Sequence, residues 1–180
     1  LIIDDINQVN DDEKLLIQSF FEINLFDEEL FRTKNKLIYS RHKVGKDDFG
    51  KLILTENSDE ILNINVIDSI KYDKKTIFIF EHNNDKYFLK KDLDYNVISN
   101  NKFLIENYTR NSSFSSNFNS KNFFDLFKIK SNNISVFISE NFKSNKLNNL
   151  NIKVDEISDW INFEFEIKNN EICLLYTSPS

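Results

Sequence analysis

Two acidic residues follow an apolar run at the start of the sequence and could do chemistry there. Leu1-Ile2-Ile3 leads directly into Asp4 and Asp5. An apolar strand that ends in acids has the form of a Walker B motif, whose carboxylates hold Mg²⁺ and position water. The glycine-rich phosphate loop that should precede such a strand is absent from the sequence, which contains two glycines. The alternative interpretation is a strand or helix start with two surface aspartates.

The two histidines are the other candidates for proton transfer or metal binding. His42 lies near Asp47, and His82 follows Glu81, so each could act with a carboxylate as a general base or a metal ligand. Neither an HxH nor an HxxxH spacing occurs. The spacing therefore favours the simpler interpretation, in which one histidine lies in a loop and the other in a hairpin turn.

Basic residues form two small clusters that could contact phosphate. One is Arg41-His42-Lys43, and the other consists of Lys86, Lys90 and Lys91. The chain has a net charge of −6, and an acidic domain is not suited to bind nucleic acid tightly by itself. We therefore expect both clusters to lie on solvated faces.

Composition indicates a folded chain. Of its 180 residues, 40% are hydrophobic and 14% aromatic, a composition that is typical of a folded protein. The length suits one domain, or one domain and part of a second. No apolar stretch is long enough to span a membrane. The only cysteine and the only proline lie in the last eight residues, CLLYTSPS. That string matches the translation of a transposase mosaic end used in sequencing libraries. We therefore expect residues 173–180 to derive from adapter and the chain to be a fragment, and residues 173–180 are left out of the fold prediction.

The N-terminal elements follow from local signals. Asn10 and Glu13 have the spacing of a capping box, which predicts a helix from Asp11 to Ile23. Leu15, Leu16, Ser19 and Phe20 would share one face of it. Short β-like runs and a polar Asn/Asp turn then predict strands at Lys36–Ser40, Lys51–Thr55, Leu62–Val66, Thr76–Glu81, Lys86–Lys90 and Phe103–Tyr108, with His82–Asp85 as the hairpin turn.

After a linker, the C-terminal part is also predicted to contain strands and a short helix. Residues 111–122 are rich in Ser and Asn and predict a loop, and Ser120–Lys130 predicts a short helix with Phe123, Phe124 and Phe127. Strands are predicted at Ile134–Ile138, Leu150–Val154 and Ile161–Lys168. In the last of these, Asn162, Glu164 and Glu166 would face solvent, and Asn169-Asn170-Glu171 would form the turn after it.

These elements predict a β-rich α+β fold with antiparallel strands and hairpins and one or two short helices. The predicted organisation is a helix and β-rich segment over residues 1–110, a loop at 111–122, and a second α+β piece at 123–172.

The second piece resembles the region that precedes the motor of bacterial Swi/Snf-type DNA translocases. Ser158-Asp159-Trp160, with Phe163 in the strand that follows, resembles the family phrase SGxDWFDxxxxVxFGD. Upstream, Leu37–Val44 resembles the phrase LxxSGHPxV of the same region. The sequence departs from the family where Ser158 and Arg41 replace glycines, Ile161 replaces a phenylalanine, and Lys43 replaces a proline.

The resemblance implies a non-catalytic accessory segment in a cytoplasmic protein. The motor, with its bound ATP and magnesium, would be encoded downstream, so no catalytic, cofactor or metal residue carries over to this chain. Its partners would be the motor domain of the same chain and, through that motor, duplex DNA, with no membrane involved. Asp159 and Trp160 would have structural roles, because a buried indole needs a partner for its N–H.

Two other functions remain open from the residues. One is an AAA+ or helicase ATPase fragment in which Asp4 and Asp5 are the Walker B acids. The other is a β-rich interaction protein with no motor. ATP binding or an upstream phosphate loop would favour the first, and an unrelated domain after Ile172 would favour the second.

Overall fold

The computed structural model describes residues 1–21, 26, 36–46, 48–56, 64–110, 127–128, 132–139, 160–168 and 171–177. These residues form a β-rich α+β fold with antiparallel strands and two short α-helices, which confirms the predicted fold class. The elements are β1 Ile2–Ile3, α1 Asp11–Phe21, β2 Leu37–Lys43, β3 Phe49–Glu56, β4 Val66–Tyr72, β5 Lys75–His82, β6 Asp85–Lys91, β7 Tyr95–Ser99, α2 Lys102–Arg110, β8 Ile134–Ser139, β9 Trp160–Lys168 and β10 Glu171–Thr177.

The chain divides into two compact units. The central unit comprises Asp4–Asn7 and Asn24–Ser115, and the terminal unit comprises Leu1–Ile3, Gln8–Ile23 and Ser116–Ser180. The sequence analysis grouped α1 with the strands up to residue 110, whereas α1 belongs to the terminal unit with residues 116–180.

The central unit is an antiparallel sheet in the order β2-β3-β7-β6-β5-β4. Alternate residues of its strands point to the same face. On one face Ile77, Ile79, Phe88 and Val97 pack with Ile105 of α2 as a hydrophobic core. On the other face the buried hydrophobic residues are Leu37, Tyr39, Ile53, Phe80, Leu89 and Ile98. The middle of this sheet is therefore buried on both faces.

Two tight turns join the strands β4, β5 and β6. Asn83 and Asn84 have φ of 52° and 65°, and Asp73 and Lys74 have φ of 48° and 62°. Positive φ at both central residues is the geometry of a type I′ turn, which matches the twist of antiparallel strands. The hairpin predicted around His82–Asp85 is thus confirmed.

The strand before that hairpin was predicted in the wrong place. Ile64 precedes β4, Val66 begins it, and Leu62 lies outside the described residues. The Val66 side chain was predicted on a half-buried strand face, and it is one of the exposed large hydrophobic side chains, at 45%. The strand runs on to Tyr72, where the Asp73-Lys74 turn ends it.

The strand predicted at Phe103–Tyr108 is wrong, because these residues form α2. Asn101 caps the helix, and its Oδ1 accepts hydrogen bonds from the backbone N–H groups of Phe103 at 2.9 Å and Leu104 at 3.2 Å. Ile105 and Thr109 are buried one turn apart, so the helix covers the sheet with one face. The capping Asn directly before α2 outweighs the β propensity of the aromatic residues that follow.

The capping box that predicts α1 is confirmed. The Asn10 backbone N–H donates to Glu13 Oε2 at 3.0 Å, and the Glu13 N–H donates to Asn10 Oδ1 at 2.9 Å. The predicted face is wrong, since Ile17 is buried whereas Leu15 is 63% exposed. Residues 22–23 of the predicted helix lie outside the described residues.

The terminal unit pairs its strands in the order β10-β9-β8-β1. β8 and β9 confirm the strands predicted at Ile134–Ile138 and Ile161–Lys168, while Glu171, predicted in a turn, begins β10. β10 contains residues 173–177 of the segment left out of the prediction. The linker at 111–122 and the strand at Leu150–Val154 lie outside the described residues, as does the helix at Ser120–Lys130 except for Phe127 and Lys128, which are helical.

Two residues of the β9 face that was predicted to be solvated, Asn162 and Glu164, are instead buried. Asn162 is fully buried and Glu164 is 6% exposed. The carboxylate accepts hydrogen bonds from Asn162 Nδ2 at 3.0 Å and from the Asn132 backbone N–H at 3.2 Å. These hydrogen bonds offset the cost of removing a polar group from water, which alternation in the sequence does not reveal.

Candidate functional site

The β2–β3 hairpin brings basic and aromatic side chains together on one face. We call residues 41–51, the distal part of this hairpin, the basic hairpin. In its ladder Arg41 lies directly opposite Lys51, and Lys43 lies directly opposite Phe49. Residues directly opposite in an antiparallel pair point to the same face, so all four side chains share it.

These cations lie where the buried face of the sheet ends. Tyr39 and Ile53, the next pair inward on that face, are 2% and 1% exposed. Arg41 and Lys43 are exposed, and Lys51 is half-buried. The basic hairpin carries four cationic residues against Asp47 and Asp48, in a chain whose net charge is −6. It is therefore a local positive region on an acidic protein.

A ring contact orients one of the cations. The Arg41 guanidinium carbon lies 4.3 Å from the centroid of the Phe49 ring, which is within the range of a cation–π interaction. Phe49 itself is 38% exposed. The interaction reduces the freedom of the arginine side chain while the pair stays accessible to solvent, which suits recognition of an anionic partner.

The backbone beneath these side chains is held by several contacts. The Lys51 N–H donates to Asn100 Oδ1 at 2.7 Å, and the Lys51 carbonyl accepts from Ser99 Oγ at 2.7 Å. The Val44 N–H donates to the Asp48 carbonyl at 3.0 Å and closes the loop. A Cβ at Gly50 would lie 2.6 Å from Leu104 Cδ1, so α2 packs against the base of the hairpin without a gap.

His42 lies on the opposite face and adds no charge to the site. Its Nε2 is 2.9 Å from Ser40 Oγ, whose hydroxyl donates to the Leu52 carbonyl. The strand position is open to solvent, yet neighbouring atoms desolvate the ring and lower the pKa of His42. A lowered pKa leaves the imidazole neutral at pH 7. The positive charge on the face of Phe49 therefore comes from Arg41, Lys43 and Lys51, and Lys46 in the loop is the fourth cation of the basic hairpin.

The second basic cluster does not form a comparable surface. Lys90, predicted on a solvated face, is 3% exposed, forms an ion pair with Asp92 and lies 5.0 Å from the Tyr108 ring centroid. Lys86 and Lys91 are exposed, but they alternate to opposite faces of β6. Burial of an amine between a carboxylate and an aromatic ring points to packing of α2 on the sheet.

The two N-terminal acids have local partners. Asp4 Oδ1 lies 3.2 Å from Lys36 Nζ, and Asp5 Oδ1 accepts hydrogen bonds from the N–H of Asn7 at 3.0 Å and its Nδ2 at 3.1 Å. The preceding strand β1 has two residues and pairs antiparallel with β8. The Walker B interpretation stays a prediction, and these contacts are those of a strand end followed by the short 3-10 helix Ile6–Gln8.

The remaining candidate residues are dispersed. His82 lies in the β5–β6 hairpin, with Nε2 2.9 Å from Asn83 Nδ2. Phe163 is buried on β9, directly opposite Val136. Trp160 begins β9, and Ser158 and Asp159 lie outside the described residues. Within the described part of the chain, no group of three His, Cys, Asp or Glu side chains is placed to hold a metal ion.

Sequence analysis identified Arg41 and Lys43 but missed Phe49, Gly50 and Lys51 as parts of the same site. The signal was available in part, because Lys36–Ser40 and Lys51–Thr55 were predicted as β-like runs. The observed strands extend beyond those bounds, to Lys43 and from Phe49. Which residues of the two strands face each other depends on the register and the loop length, and neither was predicted.

Comparison of the chain with protein-family models, with curated proteins and with solved structures finds no match in any of the three. No helix among the described residues is long and apolar enough to cross a membrane.

Proposed function

We propose that this chain is a non-catalytic accessory segment of a Swi/Snf-type ATP-dependent DNA translocase, and that the basic hairpin provides its DNA contact. ATP and magnesium would be bound by the motor encoded downstream. The accessory segment would pack on that motor and guide DNA to it. The proposal combines the family resemblance at Leu37–Val44 and Ser158–Phe163 with the geometry of the hairpin, to which Arg41 and Lys43 of the first phrase belong.

The observation that carries the proposal is the placement of Arg41 directly opposite Lys51. Like charges directly opposite each other in a ladder destabilise a sheet. The pair concentrates positive charge on one face of the hairpin, and a DNA phosphate backbone supplies negative charge at regular spacing. The exposed, ring-stacked guanidinium offers the donor geometry that phosphate oxygens require.

The charge of the rest of the chain limits the strength of this contact. With a net charge of −6 the protein repels DNA at long range, so the hairpin binds only where phosphates approach it closely. We expect a dissociation constant on the order of 10⁻⁴ M at physiological salt, in the range of non-specific binding. Such a contact guides DNA that a motor already holds.

The test is the binding of labelled duplex DNA to the full chain, followed by fluorescence anisotropy across a series of salt concentrations. Removing two phosphate contacts with Arg41→Ala and Lys51→Ala should weaken binding and reduce the salt slope by about two. The matched control is Lys71→Ala with Lys86→Ala, which removes the same charge from exposed positions on β4 and β6. If the two double variants bind alike, the hairpin is not the DNA contact and the proposal fails.

ATP binding separates the accessory segment from the ATPase alternative. The accessory segment should show no ATP binding at micromolar concentrations by isothermal titration calorimetry. If the chain bound ATP with micromolar affinity, and Asp4→Asn or Asp5→Asn changed that affinity, the Walker B interpretation would be favoured instead. Reading the genomic locus past Ile172 adds a further test, because the proposal requires the same frame to enter a phosphate loop and a motor.

A further inference from the structure

The exposed ring of Phe49 suggests a more specific ligand for the basic hairpin, an inference that rests on the proposed function. We infer that Phe49 stacks on an unpaired nucleobase while Arg41, Lys43 and Lys51 contact the phosphates of the same strand. The ligand would then be a single-stranded segment, such as an opened or frayed region of the DNA.

The position of Phe49 does not serve the core of the sheet. On the same face, one pair inward, Tyr39 and Ile53 are buried, whereas Phe49 is 38% exposed. Its immediate neighbour Gly50 points to the opposite face, where it meets α2. The hairpin therefore presents an aromatic ring at the solvent-facing end of a strand, next to cations on that face.

The surroundings of the ring match those of a base-stacking platform. Lys43 is directly opposite Phe49, and the Arg41 guanidinium lies 4.3 Å from the ring centroid. Proteins that bind single strands combine positive charge along the backbone path with aromatic rings on which bases stack. Bases in a duplex are already stacked on their neighbours, so only an unpaired base can use the ring.

Rigidity of the hairpin strengthens this inference. The hydrogen bonds of Lys51 with Asn100 and Ser99 and that of Val44 with Asp48 hold the backbone on both sides of Phe49. An aromatic ring on a fixed backbone loses little conformational freedom when a base stacks on it. The contact should therefore add measurable affinity despite the acidic net charge.

The experiment compares three labelled ligands of equal length with the full chain, using anisotropy at one low salt concentration. They are a single strand, the same strand with abasic sites throughout, and a duplex. The normal single strand should bind roughly tenfold more tightly than the abasic strand, which is the size expected from one stacked base. Phe49→Leu, which keeps an apolar side chain without a ring, should remove that difference, and Phe49→Trp should restore it.

Phe103→Leu is the matched control, since Phe103 is a second exposed phenylalanine, at 70%, on α2 of the same unit. Circular dichroism of each variant shows whether it is folded. Equal binding of normal and abasic strands would overturn the stacking inference. If Arg41→Ala with Lys51→Ala still weakened binding in that case, the proposed DNA contact would stand alone. Absence of binding to all three ligands at that low salt concentration would overturn both proposals.

Discussion

Gly50 on β3 and Leu104 on α2 approach so closely that a Cβ at Gly50 would lie 2.6 Å from Leu104 Cδ1. The same Cβ would be 3.0 Å from Asn101 Cβ and from Val44 Cγ1. Leu104 can rotate away, but the other two atoms are close to the backbone and move less easily. The helix is thus docked on the strand whose neighbouring residues form the candidate DNA contact.

Gly50→Ala should therefore destabilise the protein by about 1–3 kcal/mol, the usual cost of overpacking. Chemical denaturation followed by circular dichroism measures this. Gly45→Ala is the control, because its nearest contact, Asp48 Oδ2 at 3.6 Å, is an ordinary one. In a Leu104→Ala background the cost of Gly50→Ala should fall, and an unchanged cost would show that the close contact is not its cause.

Lys51→Glu should make the protein more stable while weakening its binding to DNA. The substitution replaces a like-charge pair opposite Arg41 with an opposite-charge pair, which contributes about 0.2–1 kcal/mol in a sheet. Denaturation and anisotropy measurements on the same variant test both parts. Lys71→Glu serves as the comparison, because Lys71 lies opposite the uncharged Thr76. A loss of stability in Lys51→Glu would contradict the electrostatic account of the hairpin.

Asn10→Ala should destabilise the protein by about 1 kcal/mol through loss of the α1 cap. Asn10 Oδ1 accepts a hydrogen bond from the Glu13 N–H, and the alanine side chain has no acceptor to replace it. Asp12→Ala is a control in the same helical turn at an exposed position. Equal unfolding midpoints for the two variants would mean that the reciprocal hydrogen bonds add nothing to stability.

Lys74→Gly should stabilise the β4–β5 turn. Lys74 has a φ of 62°, a left-handed conformation that costs non-glycine residues about 1–2 kcal/mol. Part of this gain is lost because glycine also makes the unfolded chain more flexible. Asn84→Gly should gain less, since asparagine tolerates the same conformation. The order of the two unfolding midpoints tests the turn geometry.

Tyr108 should ionise at unusually high pH. Burial, the charge of Asp92 and the hydrogen bond that Tyr108 Oη donates to Asp92 Oδ2 raise its pKa to about 12, with a smaller contribution from Tyr95. The ordinary pKa is 10.0, so the unfolded chain releases this proton first. The stability contributed by Tyr108 is therefore present below pH 10 and is lost as the pH rises towards 12.

Ultraviolet difference titration of the wild type against Tyr108→Phe isolates this phenolate. The difference signal should rise well above pH 10.0, the ordinary pKa of a tyrosine. A difference signal centred at the ordinary tyrosine pKa would show that the contact with Asp92 does not form in solution.

Local chemistry in the sequence determined several features without reference to the fold. The Asn10–Glu13 capping box and the Asn83-Asn84 turn were both predicted, because each depends on residues within a few positions of one another. Short β-like runs predicted parts of β2, β3, β5, β6 and β8, and alternation of apolar residues predicted β9, and with them the β-rich α+β class. The family resemblance adds a functional hypothesis that no comparison or contact tests.

Tertiary contacts decided three features that the sequence did not predict: the helix α2, the burial of polar residues on β9, and the arrangement of the candidate site. Whether residues 102–110 form a helix or a strand depended on the cap that Asn101 provides after β7 and on the core that receives Ile105. Burial of Asn162 and Glu164 depended on tertiary packing and on the hydrogen bonds that the Glu164 carboxylate accepts. The site itself depended on register, because a shift of one residue between β2 and β3 would send Lys51 and Phe49 to the opposite face from Arg41. Composition and spacing supplied the charged and aromatic residues, and the strand pairing alone placed them together.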